Sequence, residues 1–135
     1  MGKIALLALG AIVASAAPAI AAPRLSGEAE LAKALEGRVA GRPVDCIQLN
    51  DARSTRIIDH TAILYDTGGV LYVNRPRAGA ESLDQWDTLV TRTWTPELCS
   101  IDTVKLFDTG ARMERGVVFL GEFVPYRRVR TAQAH

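Results

Sequence analysis

Short runs of apolar and β-branched residues, broken by Gly, Asn, Asp and Pro, fill the chain from Val44 onward. The runs are Val44–Leu49, Thr55–Asp59, Ala62–Asp66, Val70–Asn74, Thr103–Asp108 and Val117–Val124. Brevity, β-branched and aromatic content and flanking turn formers mark them as antiparallel strands. "AILYDTGGVLYVN" reads as a tight hairpin in which Asp66 takes the first turn position and Gly68 supplies a positive φ. "VKLFDTGARMERGVVFL" reads as a second, looser hairpin between Leu106 and Val117. Upstream the period changes. Ser26 as cap, Glu28 and Glu30 in the first turn and Gly37 as stop predict a helix from Gly27 to Glu36. Leu31, Ala34 and Leu35 share one narrow face, so that helix needs a packing partner. Ser82 to Trp94 mixes two patterns: a helix burying Leu83, Trp86 and Val90, then extension through Thr91, Thr93 and Trp94. The expected fold is α+β, mainly β: an antiparallel sheet or small barrel with an N-terminal helix.

Ahead of these elements, "MGKIALLALGAIVASAAPAIA" contains one charged residue, Lys3. A basic start, an apolar run from Ile4 to Val13 and the small-residue site Ala19-Ile20-Ala21, with Pro23 beyond, form a secretory signal peptide. The apolar run is shorter than the roughly 20 residues that span a bilayer, so cleavage after Ala21 or Ala22 and no membrane span thereafter are expected. The chain then divides into a signal peptide (1–21), an N-terminal helix and linker (22–43), a β-rich domain (44–128) and a flexible tail (129–135). The expected location is periplasmic or secreted.

Charge narrows the partners. There are 16 Lys and Arg against 15 Asp and Glu, and loss of Lys3 with the signal leaves 15 of each. The one basic run, Arg127, Arg128 and Arg130, lies near the end, and the basic stripe of a nucleic-acid binder is missing. Without an electrostatic groove, Trp86 and Trp94 are expected in the core rather than as base-stacking platforms. An envelope component or a protein remains as the expected partner. In an exported chain Cys46 and Cys99 are expected to form a disulfide. No C-x-x-C occurs, and neither cysteine has a His or Lys within two residues to make it reactive.

Asp66-Thr67-Gly68 and Asp108-Thr109-Gly110 share the tripeptide that carries the catalytic aspartate of aspartic proteases. That chemistry needs two carboxylates close enough to share a proton, supplied by two lobes or two subunits. Here the aspartates are 42 positions apart with 27 residues after the second, too little chain for two lobes. A homodimer built on Asp66, with Phe119-Leu120-Gly121 downstream, is the remaining form of an acid protease. The tripeptide consists of common turn formers, so the turn reading leads and no catalytic residue is assigned. His60 and His135 lack the further ligands at metal-binding spacing, and Asp59 and His60, adjacent on a strand, point to opposite faces. No cofactor motif occurs.

"GRPVDCIQL" (Gly41–Leu49), "LCSIDTVKLFD" (Leu98–Asp108) and "LGEFVPYRR" (Leu120–Arg128) together resemble a family of small exported proteobacterial proteins that share a domain of unknown function. The resemblance covers roughly Arg38 to Arg128. It implies one exported domain and no activity, cofactor or catalytic residue. The leading expectation is a non-enzymatic binding or structural module, and the rival is the acid protease.

Overall fold

The computed structural model describes Gly2 and residues 10–130. The charged start and most of the apolar run of the expected signal peptide, and the tail beyond Arg130, lie outside the described residues. Residues 10–26 form neither helix nor strand, and Ile12, Val13 and Ile20 are exposed.

Ser26 opens helix α1 (Gly27–Ala34) by accepting a hydrogen bond from the Ala29 N–H at 3.2 Å. Strand β1 (Arg38–Ala40) follows directly, inside the segment expected as linker. Next come β2 (Cys46–Gln48), β3 (Ser54–Ile58), β4 (Ala62–Asp66), β5 (Val70–Asn74), β6 (Thr88–Thr91), β7 (Glu97–Cys99), β8 (Thr103–Asp108), β9 (Met113–Phe119) and β10 (Phe123–Arg128). All pairings are antiparallel. They build a five-stranded sheet in the order β1-β10-β5-β4-β3, a three-stranded sheet β6-β8-β9 and a ribbon β2-β7. The fold is α+β and mainly β, as expected.

Strand alternation sends side chains to both faces of the large sheet, and both faces are covered. On one face Leu31 of α1 packs with Ile58, Ala62, Leu64, Leu71 and Val73. Complete burial of Leu31 stabilises the docked helix by about 1.5–3 kcal/mol, and two ion pairs, Glu30–Arg56 at 2.9 Å and Glu28–Arg75 at 2.6 Å, join its first turn to the sheet side. On the other face Ile57, Ile63, Tyr65 and Phe123 meet Val104, Leu106 and Val118 of the small sheet, with Ile47 and Leu98 from the ribbon. The Cys46–Cys99 disulfide closes that ribbon between directly opposed residues.

Two expected elements differ. Val117–Val124 is not one strand, because the chain bends between β9 and β10 at Leu120-Gly121-Glu122. Buried Asn74 holds that bend, donating to the Gly121 carbonyl at 2.7 Å and accepting from the Gly121 N–H at 3.0 Å. Ser82–Trp94 forms no α-helix. A single 3₁₀ turn spans Ala80–Ser82, and then Asp84 takes the Trp86 N–H at 2.9 Å, an amide that a helix capped by Ser82 would bond to the Ser82 carbonyl, while Asp59 takes the Gln85 N–H at 2.6 Å. Such local side-chain acceptors compete with helical bonding. Trp86 and Trp94, expected in the core, are exposed, Trp86 by 76%.

Candidate functional site

The two Asp-Thr-Gly stretches end different strands in different sheets, Asp66 on β4 and Asp108 on β8. Each carboxylate serves its own turn. Asp66 Oδ1 accepts from the Gly68 N–H at 2.7 Å, and Asp108 Oδ1 accepts from Gly110 and Ala111 at 2.8 and 2.9 Å. The spelling is shared but the turns are not. In the first, Gly68 has φ +95°, and in the second it is Arg112 that is left-handed, at φ 54°. Asp66 borders a shallow hollow beside α1 with Ala34, Arg38 and Ser54, and Asp108 is not among the residues lining it.

These contacts set a ranking. Asp66→Ala is expected to cost about 0.5–2 kcal/mol, the range for losing a capping side chain. Gly68→Val will cost more, because a β-branched residue at positive φ is strained and its Cβ would meet the Arg53 guanidinium at 2.8 Å. Urea midpoints of the two variants test the order, and equal losses would contradict it.

The other candidates resolve locally. Cys46, Glu97 and Cys99 form the one cluster of metal-ligand type among the described residues, and both of its sulfurs are spent in the disulfide. His60 turns away from Asp59. Its Nδ1 lies 2.7 Å from the Glu81 carbonyl, while Asp59 bonds Gln85. His135 lies outside the described residues.

A different place gathers chemistry. A cleft of about 480 Å³ lies between β3 and β6. Thr55, Arg56 and Ile57 of β3 form one wall and Thr88, Leu89 and Thr91 of β6 the other, with Leu49, Tyr65, Gln85 and Asp87 completing it. Successive strand residues point to opposite faces, so three consecutive residues on one wall mean that the cleft meets β3 along its edge. β6 is likewise an edge strand of its sheet.

Two polar groups at this cleft are buried without a protein partner: the Tyr65 hydroxyl and Asp87 Oδ2. Tyr65 is 2% exposed. Its ring packs edge-on against Phe123, with centroids 5.8 Å apart, and burial pushes its phenol well above the ordinary range. It is therefore a neutral hydroxyl at any physiological pH. The Asp87 side chain is also 2% exposed, and its Oδ1 lies 3.6 Å from Arg115 Nη1. Desolvation raises the Asp87 pKa, Arg115 opposes the rise, and the like charges of Asp84 and Asp108 add to it. Asp84 is shifted the other way, chiefly by the Trp86 N–H it accepts and further by Arg115.

One oxygen of the Asp87 carboxylate faces Arg115 and the other is buried without a protein partner, which carries a desolvation cost. Perturbed carboxylates cluster at functional sites as well as in structural ion pairs. The sequence carried only a faint signal for it. Tyr65 and Asp87 are 22 positions apart, and Asp87 fell within a segment that reads as helix. No family model, curated protein or solved structure matches the chain, so its site is defined by this geometry.

Proposed function

We propose that the chain is an exported binding domain, periplasmic or secreted, that holds its ligand in the cleft between β3 and β6 without transforming it. The observation that carries this reading is the cleft itself, which two edge strands border and which joins apolar residues to the hydroxyls of Thr55, Thr88 and Thr91. Binding sites of this kind combine apolar walls with a few converging polar groups, and here Leu49, Ile57 and Leu89 supply the walls. Export is supported by the disulfide, which persists in oxidising compartments, and by the exposed apolar residues of the N-terminal segment. Among the described residues no helix is long and apolar enough to cross a membrane. Kinship with the small exported proteobacterial family belongs to the same proposal. Against an acid protease, each Asp-Thr-Gly carboxylate is engaged by its own turn.

The test is a titration followed by amide chemical shifts, using two probes: capped hydrophobic peptides and oligosaccharide fragments of the cell envelope. Shifts at Thr55–Ile57 and Thr88–Thr91 are expected with one of them. Shifts confined to other surfaces would overturn the site. Cleavage of unfolded substrate between about pH 3 and 6 that is lost in Asp66→Asn would replace binding by proteolysis.

Asp87 gives a second, ligand-free check. Its folded-state pKa lies above the unfolded value, so the protonated form is favoured by folding. The associated stability is complete below the unfolded pKa and is lost as pH rises through the folded one. The groups facing it are Arg115, Asp84 and Asp108, with Arg56 also on the cleft. Asp87→Asn is expected to raise the melting temperature at pH 7 and to flatten the pH dependence above about pH 4. A lower melting temperature at pH 7 would show that the Arg115 contact outweighs desolvation.

A further inference from the structure

We infer that the occupant of this cleft is an extended peptide segment of another protein, which enters as an added strand and pairs with β3 on one side and β6 on the other. The inference rests on the cleft being the binding site. Two edge strands border the same cleft. Each strand is the last of its sheet, and among the described residues no further main-chain hydrogen bond closes Thr55–Ile57 or Thr88–Thr91. An edge strand turns every second N–H and C=O outward, which is a template for pairing and which proteins ordinarily guard.

The remaining edges of this protein are guarded. β1, β2 and β7 have three residues each. β9 carries a register shift against β8, presents Glu114 and Arg115, and has its Phe119 bridged by Ala78. β3 and β6 run for five and four residues with no Pro or Gly, their one charged residue, Arg56, is drawn to Glu30 of α1, and their pairings show no register shift.

The chemistry of the walls selects a polypeptide. Only another main chain offers donors and acceptors alternating to both sides at the strand spacing of about 3.3 Å per residue, so only it can serve two edges at once. Charge does not favour an ionic ligand, because Arg56 is paired with Glu30 and Asp87 lies beside Arg115. Affinity would come from the ladders, and the side chains turned inward over Leu49, Ile57 and Leu89 would be apolar, the division of labour of strand addition.

The experiment uses the exported protein and a set of capped heptapeptides in which Val, Leu, Phe or Thr occupies alternate positions. At least one is expected to bind at millimolar concentration or better, with slowed amide exchange at Thr55–Ile57 and Thr88–Thr91. N-methylating either alternate set of peptide amides leaves the side chains intact and deletes one ladder. Either change is expected to weaken binding by about tenfold or more, as losing two or three main-chain hydrogen bonds implies. Equal binding of the methylated peptides, or no binding by any of the set, overturns the strand. Slowed exchange that grows with protein concentration alone assigns the edges to a second copy and also overturns it. An oligosaccharide that shifts the same residues refutes the peptide while leaving the cleft as the site, whereas shifts elsewhere refute both.

Discussion

Replacing Cys46 and Cys99 together by alanine is expected to destabilise the protein by about 4 kcal/mol with little change in the folded structure. The two residues are 53 positions apart and directly opposed in the β2–β7 ribbon. By the chain-entropy model, cross-linking a loop of that length removes enough freedom from the unfolded chain to give a figure of this size. Against a total of about 5–15 kcal/mol it is a large share. The folded ribbon has other attachments. Ile47 and Leu98 pack into the main core, Gln48 donates to Glu97 at 2.9 Å, and main-chain bonds from Ser100 to Asp45 and from Leu49 to Pro96 extend the pairing at both ends. The variant should therefore keep native amide shifts outside the ribbon, while its urea midpoint falls and its m-value rises as the freed chain exposes more surface. A loss below about 1 kcal/mol would show that the unfolded chain is already compact around this pair.

That disulfide is legible in the amino-acid sequence, since two cysteines in a chain expected to be exported leave one intramolecular pairing. The β4–β5 hairpin is legible too, because two short apolar, β-rich runs flank a turn sequence over Ala62–Asn74, and Gly68 has the positive φ that the spelling demands. Helix α1 follows from its cap and acidic first turn. Legibility ends where distant residues decide. Leu83, Trp86 and Val90 have helical spacing, yet Asp84 takes the Trp86 amide that a helix would use, and Asp59, from the β3–β4 hairpin, fixes Gln85 where it stands. Trp86 then lies outside although its neighbour Leu83 is fully buried. The cleft is further from the sequence still. It exists because β3 ends one sheet and β6 ends another, and strand order across two sheets has no local spelling. Asn74 likewise reads as an ordinary end of a strand, while its role depends on Gly121, 47 positions away.

Asn74 is where the second large effect is expected. It is the buried polar residue of the core, 0% exposed, and both ends of its amide are used on one residue, Gly121. The bend there is tight, since a side chain at Gly121 would strike the Arg75 carbonyl, so main-chain groups cannot rotate to find each other. Asn74→Ala will leave the Gly121 N–H and C=O without their partner and open a small void. At about 1–3 kcal/mol for each orphaned group, a total loss of about 3 kcal/mol is expected, visible as a lowered denaturation midpoint. Asn74→Asp separates hydrogen bonding from simple packing, because its volume is nearly unchanged. Once ionised it accepts from the Gly121 N–H but has nothing to donate to the carbonyl, and it buries a charge. Burial will raise its folded-state pKa above the unfolded value, so its stability will be highest below about pH 4, where the acid can donate, and will fall as pH rises through the folded value. Measured against wild type, the deficit of Asn74→Asp should therefore be small near pH 3.5 and large at pH 7. A deficit that is negligible at both would mean that the bend is held by packing of Leu120 and Phe123 alone, and that the paired hydrogen bonds add nothing to it.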